Sequence, residues 1–158
     1  MVLSATHFAP VPARLSRGAR NGTPTVLSVA ALAGVPALVR HAFRERVLRQ
    51  ANKAAMLDIE LIEDQNCFIP HASMATFIDE VARRSGEANV GLLVAPHLQI
   101  SSYCCWGDYV LGAETLGTAA ERAIQAIGYH SQGDRLAVSA AGQRARISYA
   151  SAARGREG

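Results

Sequence analysis

Cysteine is scarce in this sequence. Three cysteines, Cys67, Cys104 and Cys105, stand among 158 residues, too few for the multi-bridge framework of a small secreted domain. Cys104 and Cys105 are adjacent and no C-x-x-C occurs, which excludes a zinc ribbon. A reduced, cytoplasmic setting is therefore expected. Long apolar runs are also missing: no stretch approaches the ~20 consecutive apolar residues that span a bilayer, and no membrane partner is expected. Neither G-x-G-x-x-G nor G-x-x-x-x-G-K-[ST] is present, so no phosphate-cradling loop is signalled. The five histidines (His7, His41, His71, His97 and His130) lack His-x-x-x-His or His-x-His spacing. Zinc needs three or four ligands converging at short range, so neither a metal nor any other cofactor is expected.

Acid is scarce at one end only. The first 57 residues carry eight Lys/Arg against the single Glu45, whereas the remainder carries eight basic and twelve acidic residues. Such asymmetry can mark an arm for nucleic acid, but it also fits a basic helix with a solvated face. Arg14, Arg17 and Arg20 are interleaved with Pro10, Pro12, Gly18 and Gly22 and show no hydrophobic period. Residues 1–24 therefore read as a flexible basic tail. A helix-turn-helix would need a polar, basic recognition helix behind a tight turn, and the acidic second part of the chain offers none.

Punctuation divides the rest into elements. Ser28 caps a short helical turn that ends at Gly34, and Pro36 suits the first turn of a longer helix. Val39, Phe43, Val47 and Ala51, widened by Ala42 and Ala54, form its expected buried stripe, with Arg40, Arg44, Arg46 and Arg49 off it. Residues 58–68 are acidic and irregular. Ile69-Pro70 opens a helix with Met74, Phe77, Ile78, Val81 and Ala82 on one face and Gly86 as its stop. Val90 to Ala95 is a short helix ended by Pro96. Cys104 to Leu111 is another, followed by Gly112. Thr115 caps a helix whose apolar positions are Leu116, Ala119, Ala120, Ala123, Ile124 and Ile127, with Thr118 and Glu121 matching a capping box. After the turn Ser131 to Asp134, Leu136, Val138 and Ala140 alternate. Beyond Ala141-Gly142-Gln143, Ala145, Ile147 and Tyr149 alternate again, which predicts a hairpin with one buried face. The fold class is α+β: helices packed with a C-terminal antiparallel hairpin. A two-stranded hairpin alone is marginal in water, so the domain reads as incomplete, with 151–158 a disordered tail.

Few constellations could carry chemistry. Cys104 and Cys105 have histidines available in the chain, but no nucleophile elbow or Gly-rich oxyanion loop flanks them, and a thiol needs a base or cation beside it to act. The aromatic run Tyr103-Cys104-Cys105-Trp106-Gly107-Asp108-Tyr109 holds the only Trp of the chain. As a helix it places Cys105, Trp106, Tyr109 and Val110 on one face, with Gly107 allowing close approach. Aromatic walls with a few polar handles suit a small-molecule pocket, but such a cluster is more often plain core. Tyr129 and His130, at the end of the Thr115-capped helix, could join either. Tyr103, Cys105, Trp106, Tyr109, Tyr129 and His130 are thus the candidate ligand-binding residues, and no catalytic residue is assigned.

Several landmarks recur in one order: Leu-Ala-Gly-Val-Pro at Leu32 to Pro36, the Ile69-Pro70 helix start, and Arg-Arg-Ser-Gly at Arg83 to Gly86. Gly-Leu-Leu at Gly91 to Leu93, Trp-Gly-Asp-Tyr-Val-Leu-Gly at Trp106 to Gly112, Thr-Leu-Gly at Thr115 to Gly117 and the terminal hairpin follow. With these the chain from Val26 to Tyr149 resembles the N-terminal, arabinose-binding-like sensor domain of AraC/XylS-type bacterial transcriptional regulators. That resemblance implies a cytoplasmic module, spanning 25–150, that senses a small-molecule effector or forms a homodimer. It implies DNA contact only through a C-terminal pair of helix-turn-helix units, which this chain is expected to lack as a truncated sensor. The alternative is a small thiol-dependent enzyme or a stand-alone protein-interaction module.

Overall fold

The computed structural model describes residues 24–58, 67–141 and 144–152. The expected basic tail, most of the irregular acidic segment, the turn at 142–143 and the end of the C-terminal tail lie outside the described residues. The architecture is α+β. A short strand β1 (Val26–Ser28) leads into a 3₁₀ turn (Val29–Leu32) and helix α1 (Val35–Ala55). Strand β2 (Phe68–Pro70) precedes α2 (His71–Ser85) and α3 (Val90–Val94). Two 3₁₀ turns, Ala95–His97 and Ile100–Ser102, connect to α4 (Cys104–Leu111) and α5 (Leu116–His130). The hairpin β3 (Arg135–Ala141) and β4 (Arg144–Ala150) follows.

Local signals explain most of these bounds. The Ser28 hydroxyl accepts from the Ala30 N–H, and Pro36 sits in the first turn of α1. Gly86 takes the left-handed conformation (φ 74°) and returns its N–H to the Ala82 carbonyl, ending α2. Thr115 caps α5 by accepting from the Thr118 N–H at 3.1 Å. The cap pair is therefore Thr115 with Thr118, not Thr118 with Glu121. The start of α2 also differs from expectation, because Ile69 and Pro70 belong to β2. Antiparallel pairing matches Val26 to Pro70, Leu27 to Ile69 and Ser28 to Phe68. The first N–H of α2, on His71, is then taken by the Thr25 carbonyl at 3.1 Å. This satisfies one of the four donors a helix start leaves free.

Helix α1 departs from a straight stripe. Arg44 is non-helical (φ 75°, ψ 157°) and splits the run into two helical segments. Past this break the buried set becomes Leu48, Ala51, Asn52 and Ala55, while Val47 is half-buried and Ala54 is exposed; Ala42, before the break, is exposed as well. The i+4 row through Phe43 and Val47 assumed continuous 3.6-residue turns, which the break at Arg44 removes. The core gathers Val29, Leu32, Val35, Val39 and Leu48 with Ile69, Phe77, Val81 and Val90. Burying each such side chain contributes about 1.5–3 kcal/mol. The arginines of α1 are solvated as expected; Arg40 and Arg49 close on Glu45 at 2.6 and 3.0 Å. Arg84 reaches from α2 to the Gln50 side chain on α1 at 2.8 Å.

The second part of the domain is more open than its pattern predicts. Of the expected stripe on α5 only Ala123 is buried, and Leu116 is 87% exposed. The hairpin forms in register Leu136↔Tyr149 and Val138↔Ile147. Its apolar face is half-buried on β3 and exposed on β4, Ile147 to 70%. The alternation set the strand faces correctly, but among the described residues α5 packs on β3 and no second layer covers β4.

Candidate functional site: an aromatic recess between two helices

Helix α4 is held tightly against the preceding turn. A Cβ at Gly107 would overlap the Ile100 carbonyl oxygen, so only glycine permits this approach. The tight seat fixes Trp106 and Tyr103 one turn apart on the α4 side of a recess. Arg122 ties α5 across to α4, donating to the Tyr109 carbonyl at 3.0 Å with its guanidinium 5.1 Å from the centre of the Tyr109 ring.

Between these helices lies a cavity of about 520 Å³. Tyr103, Cys104, Cys105, Trp106 and Tyr109 line one side, Gln125, Ala126, Tyr129 and His130 the other, and Ser28 and Phe68 complete it from β1 and β2. All six residues singled out from the sequence converge here. Val110, grouped with them by helical spacing, turns instead into the interior at 4% exposure. Sequence reasoning missed Ser28 and Phe68, because the β1–β2 pairing that brings them in is non-local. Gln125 was findable: it lies one turn before Tyr129 on the same helical face.

Three rings form the inner wall. Trp106 stacks on His130 with centroids 5.1 Å apart, and Tyr103 packs edge-on against both, at 5.8 and 4.9 Å. Burial holds the His130 imidazole below its ordinary pKa, with the Asp134 charge opposing, and burial raises the Tyr103 phenol. The indole Nε1 of Trp106 is buried and has no hydrogen-bond partner among the described residues.

The same three rings border a second cavity of about 510 Å³ beneath the hairpin. A buried polar knot sits there. The Ser131 hydroxyl donates to Asp134 Oδ2 at 2.6 Å and lies 3.1 Å from His71 Nε2. The Tyr149 hydroxyl donates to the same carboxylate oxygen, and the Ala152 N–H reaches Oδ1 at 2.6 Å. Burial penalises the Asp134 charge, but these hydrogen bonds and the nearby His71 outweigh it and hold the carboxyl below its usual range. Burial and the Asp134 carboxylate push the Tyr149 phenol up to about 12. The knot was not foreseen; only the turn Ser131 to Asp134 was. It resembles a hydrolytic triad in composition but not in order. The hydroxyl stands between His71 and Asp134 with its proton committed to the carboxylate, so the imidazole cannot act as its base. Cys104 and Cys105 are free thiols, half-buried and exposed respectively. No group of three His, Cys, Asp or Glu among the described residues could hold a metal ion, and no described helix is long and apolar enough to cross a membrane.

Fold and recess together define an α+β domain with an aromatic-lined recess between two of its helices. A family profile describing the N-terminal arabinose-binding domain of AraC transcription regulators matches residues 44–157. The chain belongs to that family, as the ordered landmarks had indicated. Its members are regulatory ligand-binding domains. No curated protein matches the chain significantly.

Proposed function

We propose that this chain is the effector-sensing module of an AraC-type transcription regulator, working in the bacterial cytoplasm without catalysis of its own. The observation that carries the reading is the recess between α4 and α5, where Tyr103, Cys105, Trp106 and Tyr109 at the start of α4 meet Tyr129 and His130 at the end of α5 around about 520 Å³. That volume falls within the ~300–1,000 Å³ range of small-molecule sites. The sensing unit spans 25–150, and promoter DNA is contacted by a separate helix-turn-helix domain of the regulator. An effector acts by binding one arrangement of α4, α5 and the hairpin better than another, which shifts the balance between them and between monomer and homodimer.

Thermal-shift titration with amino acids, sugars and small aromatic compounds tests this. One ligand class is expected to raise Tm, by the equivalent of ~2.7 kcal/mol when present at a hundredfold over Kd, and Trp106→Ala is expected to lose the response. A full response in the variant, or none from any class, refutes the sensing assignment.

A further inference from the structure

We propose that Cys104 and Cys105 form a dithiol clamp in the wall of the recess and capture a trivalent arsenical that carries an aryl group. The inference goes beyond the sensing reading, because capture depends on the two thiols whether or not an effector enters the recess.

Three observations carry it. The first is access. Both cysteines are free, Cys104 half-buried and Cys105 exposed, so a reagent in solvent reaches them. Both line the recess between α4 and α5. The second is spacing. Adjacent Cα atoms lie ~3.8 Å apart, less than the ~4.4–6.8 Å that a disulfide normally spans. A direct disulfide is therefore disfavoured, whereas an atom bridging the two sulfurs lengthens the link and relieves the mismatch. The third is ligand count. Among the described residues no group of three His, Cys, Asp or Glu could hold a metal ion, and a zinc site takes three or four protein ligands. An arylarsenic(III) centre forms three bonds, one of them already to carbon, and asks the protein for two sulfurs only. Its ring then lies beside Trp106, next to Cys105 in the chain, and Tyr109, one turn further along α4. Both line the same recess, and aromatic walls pack well against a ring.

With phenylarsine oxide the step is a condensation. Two As–S bonds form, the As=O bond and both S–H bonds break, and the oxygen leaves as water with the two thiol protons. Arsenic stays trivalent, so the step consumes no oxidant or reductant. It is stoichiometric capture, not turnover.

Phenylarsine oxide and arsenite, each at one equivalent, are the probes for the reduced whole chain. Intact mass should rise by one phenylarsine oxide less one water. Emission from Trp106, the only tryptophan of the chain, should change with it. The adduct should survive excess 2-mercaptoethanol and be stripped by 2,3-dimercaptopropanol, the mark of two sulfurs on one arsenic. Cys104→Ser and Cys105→Ser should each lose the resistance to monothiol. Cys67→Ser should keep it, since Cys67 packs against the apolar core instead. An adduct that monothiol strips from the native chain, or one that either serine variant at 104 or 105 retains, overturns the clamp; so does loss of the adduct in Cys67→Ser. Tyr109→Leu reads the contribution of the recess. It should lower the dimercaptopropanol concentration that strips phenylarsine oxide by about threefold and leave that for arsenite, which has no ring, unchanged. Equal changes for the two reagents, or none, overturn the aryl preference. Effector binding is read separately by the thermal-shift titration, so failure of the clamp leaves the sensing reading intact.

Discussion

The region up to Val94 and the region beyond it are built on different principles. The first buries Val29, Leu32, Val35, Val39, Leu48, Phe77 and Val81 almost completely in one apolar cluster. Among the described residues past Val94, only Val110 and Ala123 are buried apolar side chains, while His130, Ser131 and Asp134 are buried polar ones. Dispersion and the hydrophobic effect hold the first region. Ring stacking, one carboxylate and one guanidinium hold the second. Contacts of the first kind are numerous and individually replaceable, and those of the second are few and directional. The candidate site draws most of its lining from the second region, with Ser28 and Phe68 from the first.

The largest expected effect comes from breaking the first region. Phe77→Ala should cost about 3–5 kcal/mol by opening a cavity under α1 and α2, and denaturant melts should show one cooperative loss. A cost below about 1 kcal/mol would mean that the core tolerates the hole and that the contrast is weaker than drawn.

Next comes Asp134→Ala, which strands Ser131, Tyr149 and the Ala152 N–H. A cost of about 1–3 kcal/mol is expected. Its signature should be regional: hydrogen exchange accelerates in β3 and β4 while α1 and α2 stay protected. Uniform acceleration would show that the two regions unfold as one.

Gly107→Ala should force α4 away from the Ile100 carbonyl, at about 1–3 kcal/mol. Trp106 emission should change with it, since Trp106 rides on the displaced turn. An unchanged spectrum would show that the recess is not set by that close approach.

Acid should act through the second region as well. His130 has a lowered pKa in the fold, from an ordinary value of 6.5. Below about pH 6.5 the unfolded chain therefore binds the proton first, and stability falls as pH falls. Asp134, also lowered, adds a loss in the same direction below its ordinary 3.8. A Tm series from neutral to about pH 5 should slope downward, and His130→Asn should flatten it. The smallest effect belongs to Arg122→Gln, about 0.5–1 kcal/mol, visible as faster exchange in α4 alone.

How much of this was legible beforehand follows the same divide. The bounds of α4 and α5 could be read from the chain because Gly112 and Thr115 are strong local stops and starts. The six candidate residues come to line one recess because the start of one helix and the end of the next carry them at readable spacing. The β1–β2 pair stayed hidden, since two three-residue strands separated by a whole helix leave no periodic trace. The break at Arg44 has no chemical signal either, since arginine is a good helix former. Burial of α5 and β4 was overestimated because a pattern tells which face is apolar, not whether another layer lies over it.

The seam at Arg44 bears on how this domain can be cut. The family profile begins at that residue, yet Val29, Leu32, Val35 and Val39 lie before it and share the core with Phe77 and Val81 behind it. The strand that brings Ser28 to the recess lies before it too. Homology and packing thus draw the boundary in different places. A fragment started at Arg44 keeps the whole of the recognised family segment but loses one wall of its interior and one edge of its pocket, so the leading segment is a structural part of the receptor rather than an attachment to it.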